Sequence, residues 1–275
     1  MYKLRSKHIS QRLFLSMIII ILSLLFLSVP LIVSSYQSYQ KADRALIEIS
    51  ALRAVADLSN KVSRERAPAN KVMSSNADEL AENLKELHAH RKEVDLQIER
   101  TLQILEAAGF SAQVRGLFSN LKVTLHQGRQ AIDAYAALPQ SERTSKQLDN
   151  AIKQMFTAWD SCHDILKNVL VQSEAESTAV SEYYTLILIL ADLRDQAGRI
   201  ASNIIASITF SEKISADNLA RSLQTQHQAY YLWDLVNTLQ PEQAKTPEYL
   251  ALHQQVKAQF LDQGIPIITR LINES

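Results

Sequence analysis

Arginine followed four positions later by asparagine is the arrangement in this chain best suited to holding a ligand. It occurs in Arg66-Ala67-Pro68-Ala69-Asn70 and again in Arg199-Ile200-Ala201-Ser202-Asn203. Residues four apart share one face of a helix, so each pair presents a planar fork of N–H donors beside an amide that both donates and accepts. Such a pair suits a small anion or polar small molecule. Pro68 removes one backbone hydrogen bond, bends the helix that carries it and frees a carbonyl near Arg64. Arg64 joins the candidates because one alignment of the two clusters pairs Arg199 with Arg64 and another pairs it with Arg66. The candidate ligand-binding residues are therefore Arg64, Arg66, Asn70, Arg199 and Asn203. The competing reading has the arginines solvated or paired with helix-surface carboxylates such as Glu65 and Asp195.

Other chemistries find little footing. His88 and His90 lie two apart and point to different sides of a helix, so they do not make a zinc pair. Cys162 is the single cysteine, cannot close an intrachain disulfide, and with His163 completes no metal-binding spacing; it reads as a small core residue. Tyr183-Tyr184 and Tyr230-Tyr231 with Trp233 are read as core or interface aromatics before a ligand box. No glycine-rich phosphate loop, nucleophile elbow or His-Glu-x-x-His run occurs. The expectation is a protein that is not an enzyme, with no catalytic residues, no metal and no cofactor. Basic and acidic residues balance at 29 each, so no positive excess would hold the phosphates of a nucleic acid.

The elements that must position the arginines are helices. With only 5 glycines and 6 prolines in 275 residues, and abundant Ala, Leu, Gln, Glu, Lys and Ser, the composition predicts an all-α fold. Leu13 to Val33 carries no charge. At about 1.5 Å rise per residue it spans a hydrocarbon core about 30 Å thick. Lys3, Arg5, Lys7 and Arg12 precede it, whereas Lys41 is the first basic residue after it, so the N-terminus should stay in the cytoplasm and the rest be exported. The apolar stretch is longer than a signal-peptide core of about 7–15 residues, which favours an anchor over a cleaved leader.

Beyond the anchor, Leu46, Ile49, Leu52, Val55, Leu58 and Val62 recur at helical spacing. Asn76 with Glu79 predicts a capping box and a second helix running to about Ala108, where Gly109 supplies the turn. Ser111 is placed to cap a third helix ending before Pro139. A fourth pattern follows the Gln140–Ser145 connector through Trp159 and Leu170.

Pieces of this sequence recur about 135 positions later. Ala56-Asp57-Leu58 returns as Ala191-Asp192-Leu193, and Leu125-His126-Gln127-Gly128 as Leu261-Asp262-Gln263-Gly264. Leu80, Leu84 and His88 match Leu219, Leu223 and His227 about one helical turn out of step. The expected architecture is a cytoplasmic N-terminus (1–12), a transmembrane helix (13–35) and two tandem antiparallel helical-bundle modules (36–176 and 177–275). The second is incomplete, lacking its last helix, as though the product stops short of a longer architecture.

Two stretches carry a family resemblance. Glu65-Arg66-Ala67-Pro68-Ala69-Asn70 is similar to a Glu-Arg-Gly-Pro-x-Asn-like stretch, with Ala67 where glycine is usual. Leu193-Arg194-Asp195-Gln196-Ala197-Gly198-Arg199 is similar to a Leu-Arg-Asp-x-x-Gly-Arg-like one. Both resemble the all-helical extracytoplasmic sensing regions of bacterial transmembrane receptors and, more distantly, the nitrate- and nitrite-sensing domain. The resemblance implies a periplasmic sensor domain with an anion held between the two halves, in receptors that usually continue through a second membrane helix into a cytoplasmic output. Together with the one apolar stretch above, the expectation is a single-pass inner-membrane protein that forms a homodimer through the long first helix. No diguanylate cyclase, kinase or chemotaxis output sequence is present. The alternative expectation is a membrane-tethered helical module that binds another envelope protein without a small ligand.

Overall fold

The computed structural model describes residues 2–110, 112–173, 178–240, 242 and 245–274, without the side chains of 1–12, 112–113 and 178–182. Among these the chain is helical, with no strand. It divides into two compact units, Met1–Ile47 and Glu48–Ser275.

The first helix, α1 (Tyr2–Arg64), supplies the described residues of the first unit and runs on into the second. Within it lies the one stretch of the described residues that is long and apolar enough to cross a membrane. Two of the three serines in Leu13 to Val33 are paired locally: the Ser16 hydroxyl donates to the Leu13 carbonyl at 2.9 Å and Ser28 to Leu25 at 3.5 Å.

The expected amphipathic stripe packs from its third member onward. Leu52, Val55, Leu58 and Val62 are buried, whereas Leu46 and Ile49 are exposed. At Glu65 the helical ladder loses one bond, because Pro68 has no N–H to give to the Arg64 carbonyl, and the chain continues in helical conformation as α2 (Arg66–Ser74).

Asn76 then caps α3 (Ala77–Ala107), accepting from the Asp78 and Glu79 amides at 3.1 and 3.0 Å. This is half of the expected box, since Glu79 makes no return bond to Asn76. Gly109 closes the helix at a φ of 87°, and the Phe110 amide reaches back to Leu105. The next helix, α4 (Ala112–Ala136), begins after Ser111, whose expected capping role lies outside the described residues. A short 3-10 turn (Gln140–Glu142) leads to α5 (Ser145–Ser173). Thr144 and Gln147 exchange hydrogen bonds there, a full capping box that the sequence reading passed over.

The second half contains α6 (Thr178–Ser202), α7 (Ile205–Phe210) and α8 (Ala216–Leu239). It continues through α9 (Pro247–Val256), a π-helical segment (Lys257–Gly264) and α10 (Ile265–Glu274).

Three principal cores hold Glu48–Ser275 together. One joins Leu58 and Val62 of α1 with Ile98 of α3, Leu121 of α4, Ile165 of α5 and Tyr184 of α6. A second gathers Val72 of α2, Leu87 of α3, Ile132 of α4 and Met155 of α5 with Ala206 of α7. The third joins Leu193 and Ile200 of α6 with Trp233 and Val236 of α8, Leu261 and Ile265. Each side chain removed fully from water contributes about 1.5–3 kcal/mol. The positions matched in the sequence share their burial in part: Leu58, Leu193, Leu125 and Leu261 are all buried, but Leu223 is exposed.

Candidate functional site

The junction of α1 and α2 places two consecutive charged residues, Glu65 and Arg66, in the interior. Each engages a different set of helices. The Glu65 carboxylate is fully buried. It accepts from Nε and Nη2 of Arg129 on α4, at 2.8 and 2.7 Å, and lies 3.6 Å from Nε of Arg91 on α3. Asp95 and Asp133 complete the group from the outside, at 2.7 Å from Arg129 and 2.8 Å from Arg91. Burial works against the Arg129 charge, but Glu65 and Asp95 outweigh it and hold the guanidinium above the ordinary arginine pKa.

Arg66 turns toward α6. Its Nη1 lies 2.7 Å from Oδ1 of the fully buried Asp195, and its Nη2 donates to the Ser63 hydroxyl at 2.8 Å and the Asp195 carbonyl at 3.3 Å. Asp195 also accepts from Nε of Arg199, one turn further along α6, while the other end of Arg199 reaches Asp160 of α5. Both guanidiniums sit over the Phe156 ring, at 5.3 Å for Arg66 and 4.6 Å for Arg199. Burial, with Arg199 nearby, lowers the Arg66 pKa despite Asp195, whereas Arg199 is raised because Asp195 and Asp160 overcome its own burial.

These contacts bring together the Glu65–Asn70 and Leu193–Arg199 stretches, and they correct one expectation. Asp195 and Glu65 are interior carboxylates, fully buried, rather than surface partners. Arg66 and Arg199 converge on one carboxylate. Asn70 and Asn203 instead make interhelical hydrogen bonds, Asn70 to the Ser202 hydroxyl at 3.2 Å and Asn203 to Thr225 of α8 at 3.3 Å. Arg64 is exposed, as is Ala67, so no close backbone approach occurs where the resembling stretch has glycine.

Close approach is needed instead at Gly198. A Cβ there would lie 2.5 Å from Arg66 Nη2 and 3.4 Å from Arg194 Nη1. Because Arg66 is held by Asp195 and Ser63, it cannot swing aside cheaply. Gly198→Ala should therefore lower stability by about 1 kcal/mol net, the overpacking of about 1–3 kcal/mol exceeding the gain of about 1 kcal/mol in helix propensity. A lower urea midpoint for the full chain in nanodiscs, followed by circular dichroism, would show it; an unchanged or higher midpoint would mean that Arg66 is free to move.

Beside this centre, His163 of α5 and Asp192 of α6 lie 3.1 Å apart, with His163 stacked on Trp159. Burial, with Lys167 nearby, pushes His163 down to about 4; burial, with Asp195 nearby, pushes Asp192 up to about 6. The two act on stability with opposite sign. Native Asp192 keeps a proton that the unfolded chain releases near 3.8, so its contribution falls as pH rises from 4 to 6. Native His163 lacks a proton that the unfolded chain binds below 6.5, so its contribution rises over the same interval. The two contributions oppose each other and largely cancel. Asp192→Asn removes the falling part, so between pH 4 and 6 the variant should gain stability relative to the parent, by about 1–2 kcal/mol once solvent screening of the partly exposed pair is allowed for, measured as the difference of urea unfolding energies at each pH. Parallel pH profiles would contradict the assignment.

A pocket of about 590 Å³ opens between α6, α8, α9 and the π-helical segment, lined by Leu193, Arg194, Trp233, Val236, Tyr249, His253 and Phe260 among others. Trp233 and His253 stack at 4.3 Å, and His253 Nε2 is 2.8 Å from the Asn237 side-chain oxygen. Of the sequence's aromatic run, Trp233 faces this pocket, while Tyr230 and Tyr231 are exposed. Cys162 is fully buried beside the Ser59 hydroxyl at 3.3 Å, and burial pushes its thiol up to about 12, which leaves it inert. Among the described residues no group of three His, Cys, Asp or Glu side chains is placed to hold a metal.

Comparison with protein-family models, curated proteins and solved structures finds no match to this chain.

Proposed function

We propose that this chain is the membrane-anchored sensing region of a bacterial signal-transduction receptor. In this reading it crosses the inner membrane once, with its N-terminus in the cytoplasm and Glu48–Ser275 in the periplasm. The observation that carries it is the contact of Arg66 with Asp195 and Gly198, which joins the two stretches resembling receptor sensors at the junction of α1 and α2. Glu65 and Arg66 grip α3 and α4 on one side and α6 on the other. A ligand that binds one arrangement of α6 more tightly than another would bias the helix leading to the anchor. We further propose that the unit is a duplicated helical module with its second copy incomplete, that it works without catalysis or a cofactor, and that a homodimer forms along α1. The exposed Leu46 and Ile49 support that last placement.

Hydrogen exchange of the full chain in nanodiscs tests the reading against a panel of small anions, amino acids and organic acids. Binding of one compound should slow exchange both in α6 and in α1 beyond Glu48. Protection in neither helix with any compound, together with specific cross-linking to a single heterologous envelope protein, would favour the tethered interaction module instead.

A further inference from the structure

We propose that the pocket between α6, α8, α9 and the π-helical segment binds an arylalkyl monocarboxylate, with its ring among the aromatic walls and its carboxylate on Arg194. The walls argue for the body of the ligand. Trp233, Tyr249 and Phe260, with Leu190, Leu193, Val236, Leu252 and Val256, make a largely apolar enclosure of about 590 Å³, within the usual range for a small-molecule site of about 300–1,000 Å³. Aromatic faces favour a ring packed offset or edge-on against them.

The polar groups argue for the charge. Arg194 lies on the pocket wall, and among the described residues no carboxylate is within ion-pair distance of it; its one hydrogen bond is a long contact of 3.4 Å to the Ser63 hydroxyl. Arg194 is an exposed residue at the rim of the pocket, where partial burial and the neighbouring Arg64 act against its positive charge and Asp195 offsets them only in part. Asp195 is already shared between Arg66 and Arg199. An incoming carboxylate would give this arginine a counter-charge, and a guanidinium fork matches its two oxygens. Tyr249 also lines the pocket, while its hydroxyl is buried without a hydrogen-bond partner. His253 is already committed to Asn237 and Trp233. Ser63, which receives both Arg194 and Arg66, ties the site to the end of α1.

The ligand class deepens the sensing reading and rests on it for its purpose, but binding itself is read separately. The probe is 4-phenylbutyrate, with 4-phenylbutan-1-ol as its neutral counterpart, titrated into the full chain in nanodiscs while tryptophan fluorescence is followed. The acid should give a saturable change that disappears in Trp233→Phe, and should bind at least about tenfold more tightly than the alcohol, the worth of one charge-assisted hydrogen bond. Arg194→Gln should bring the acid to the level of the alcohol, and Arg194→Lys should retain part of the preference. No saturable change, equal binding of acid and alcohol, or an unaltered preference in both arginine variants would overturn the assignment. Saturable binding without the α1 protection described above would leave the pocket standing and refute the sensing reading.

Discussion

Asp195→Ala is expected to destabilise the compact unit by about 3–5 kcal/mol, enough to unfold a large fraction of it under mild denaturant. The carboxylate is fully buried and serves two guanidiniums. Its loss leaves Arg66 buried with hydroxyl and carbonyl acceptors but no counter-charge, whereas Arg199 retains Asp160. The cost comes from the stranded charge. Replacing both partners, Arg66→Met with Asp195→Leu, should therefore recover most of the loss, because apolar residues of similar volume commonly match or exceed a buried ion pair. Urea unfolding of the full chain in nanodiscs, followed by circular dichroism, gives the comparison. A double variant as unstable as Asp195→Ala would mean that the pair contributes through geometry that apolar packing cannot replace.

Glu65→Ala is expected to cost about 3 kcal/mol, near the lower end for a broken buried pair. Two arginines lose a partner, yet Arg129 keeps Asp95 and Arg91 keeps Asp133. Those outer carboxylates are more than half exposed, so water screens them and their compensation is incomplete. Glu65→Gln retains the acceptor oxygen and should cost less, about 1–2 kcal/mol. The two substitutions should also differ in place: Glu65→Ala should raise hydrogen exchange in α3 and α4, and Asp195→Ala in α6 and α2. Identical exchange patterns would mean that the junction of α1 and α2 is one cooperative centre without two separable sides.

Local chemistry made much of this readable from sequence. The Asn76 cap, the Gly109 turn and the stop before Pro139 each depend on residues within one helical turn, and each lies where those residues put it. The interruption after α6 was not readable. Asn203 to Ser211 contains neither glycine nor proline, yet the helix breaks and restarts there, and Ser211 adopts a φ of 50°.

At the site, the pairing of Arg199 with Asp195 lies at i, i+4 spacing on one helix and could be anticipated. The approach of Arg66 to the same carboxylate spans most of the chain and depends on packing. Local pattern gives no measure of burial, so Glu65 and Asp195 looked like surface residues. Arg91, Arg129 and Asp160 escaped notice for the same reason, because on their own helices they have the composition of a solvated face. Arg194 and Gly198 were visible only as members of a resembling stretch.

The claim on which the rest depends is that Leu13 to Val33 holds the compact unit outside the cytoplasm. Labelling of intact cells with a membrane-impermeant maleimide tests it directly, since the native Cys162 is fully buried and contributes no background. Ser119→Cys, at an exposed position on α4, should label without permeabilisation, and Ser6→Cys only after it. Labelling of Ser6→Cys in intact cells with protection of Ser119→Cys would contradict the account.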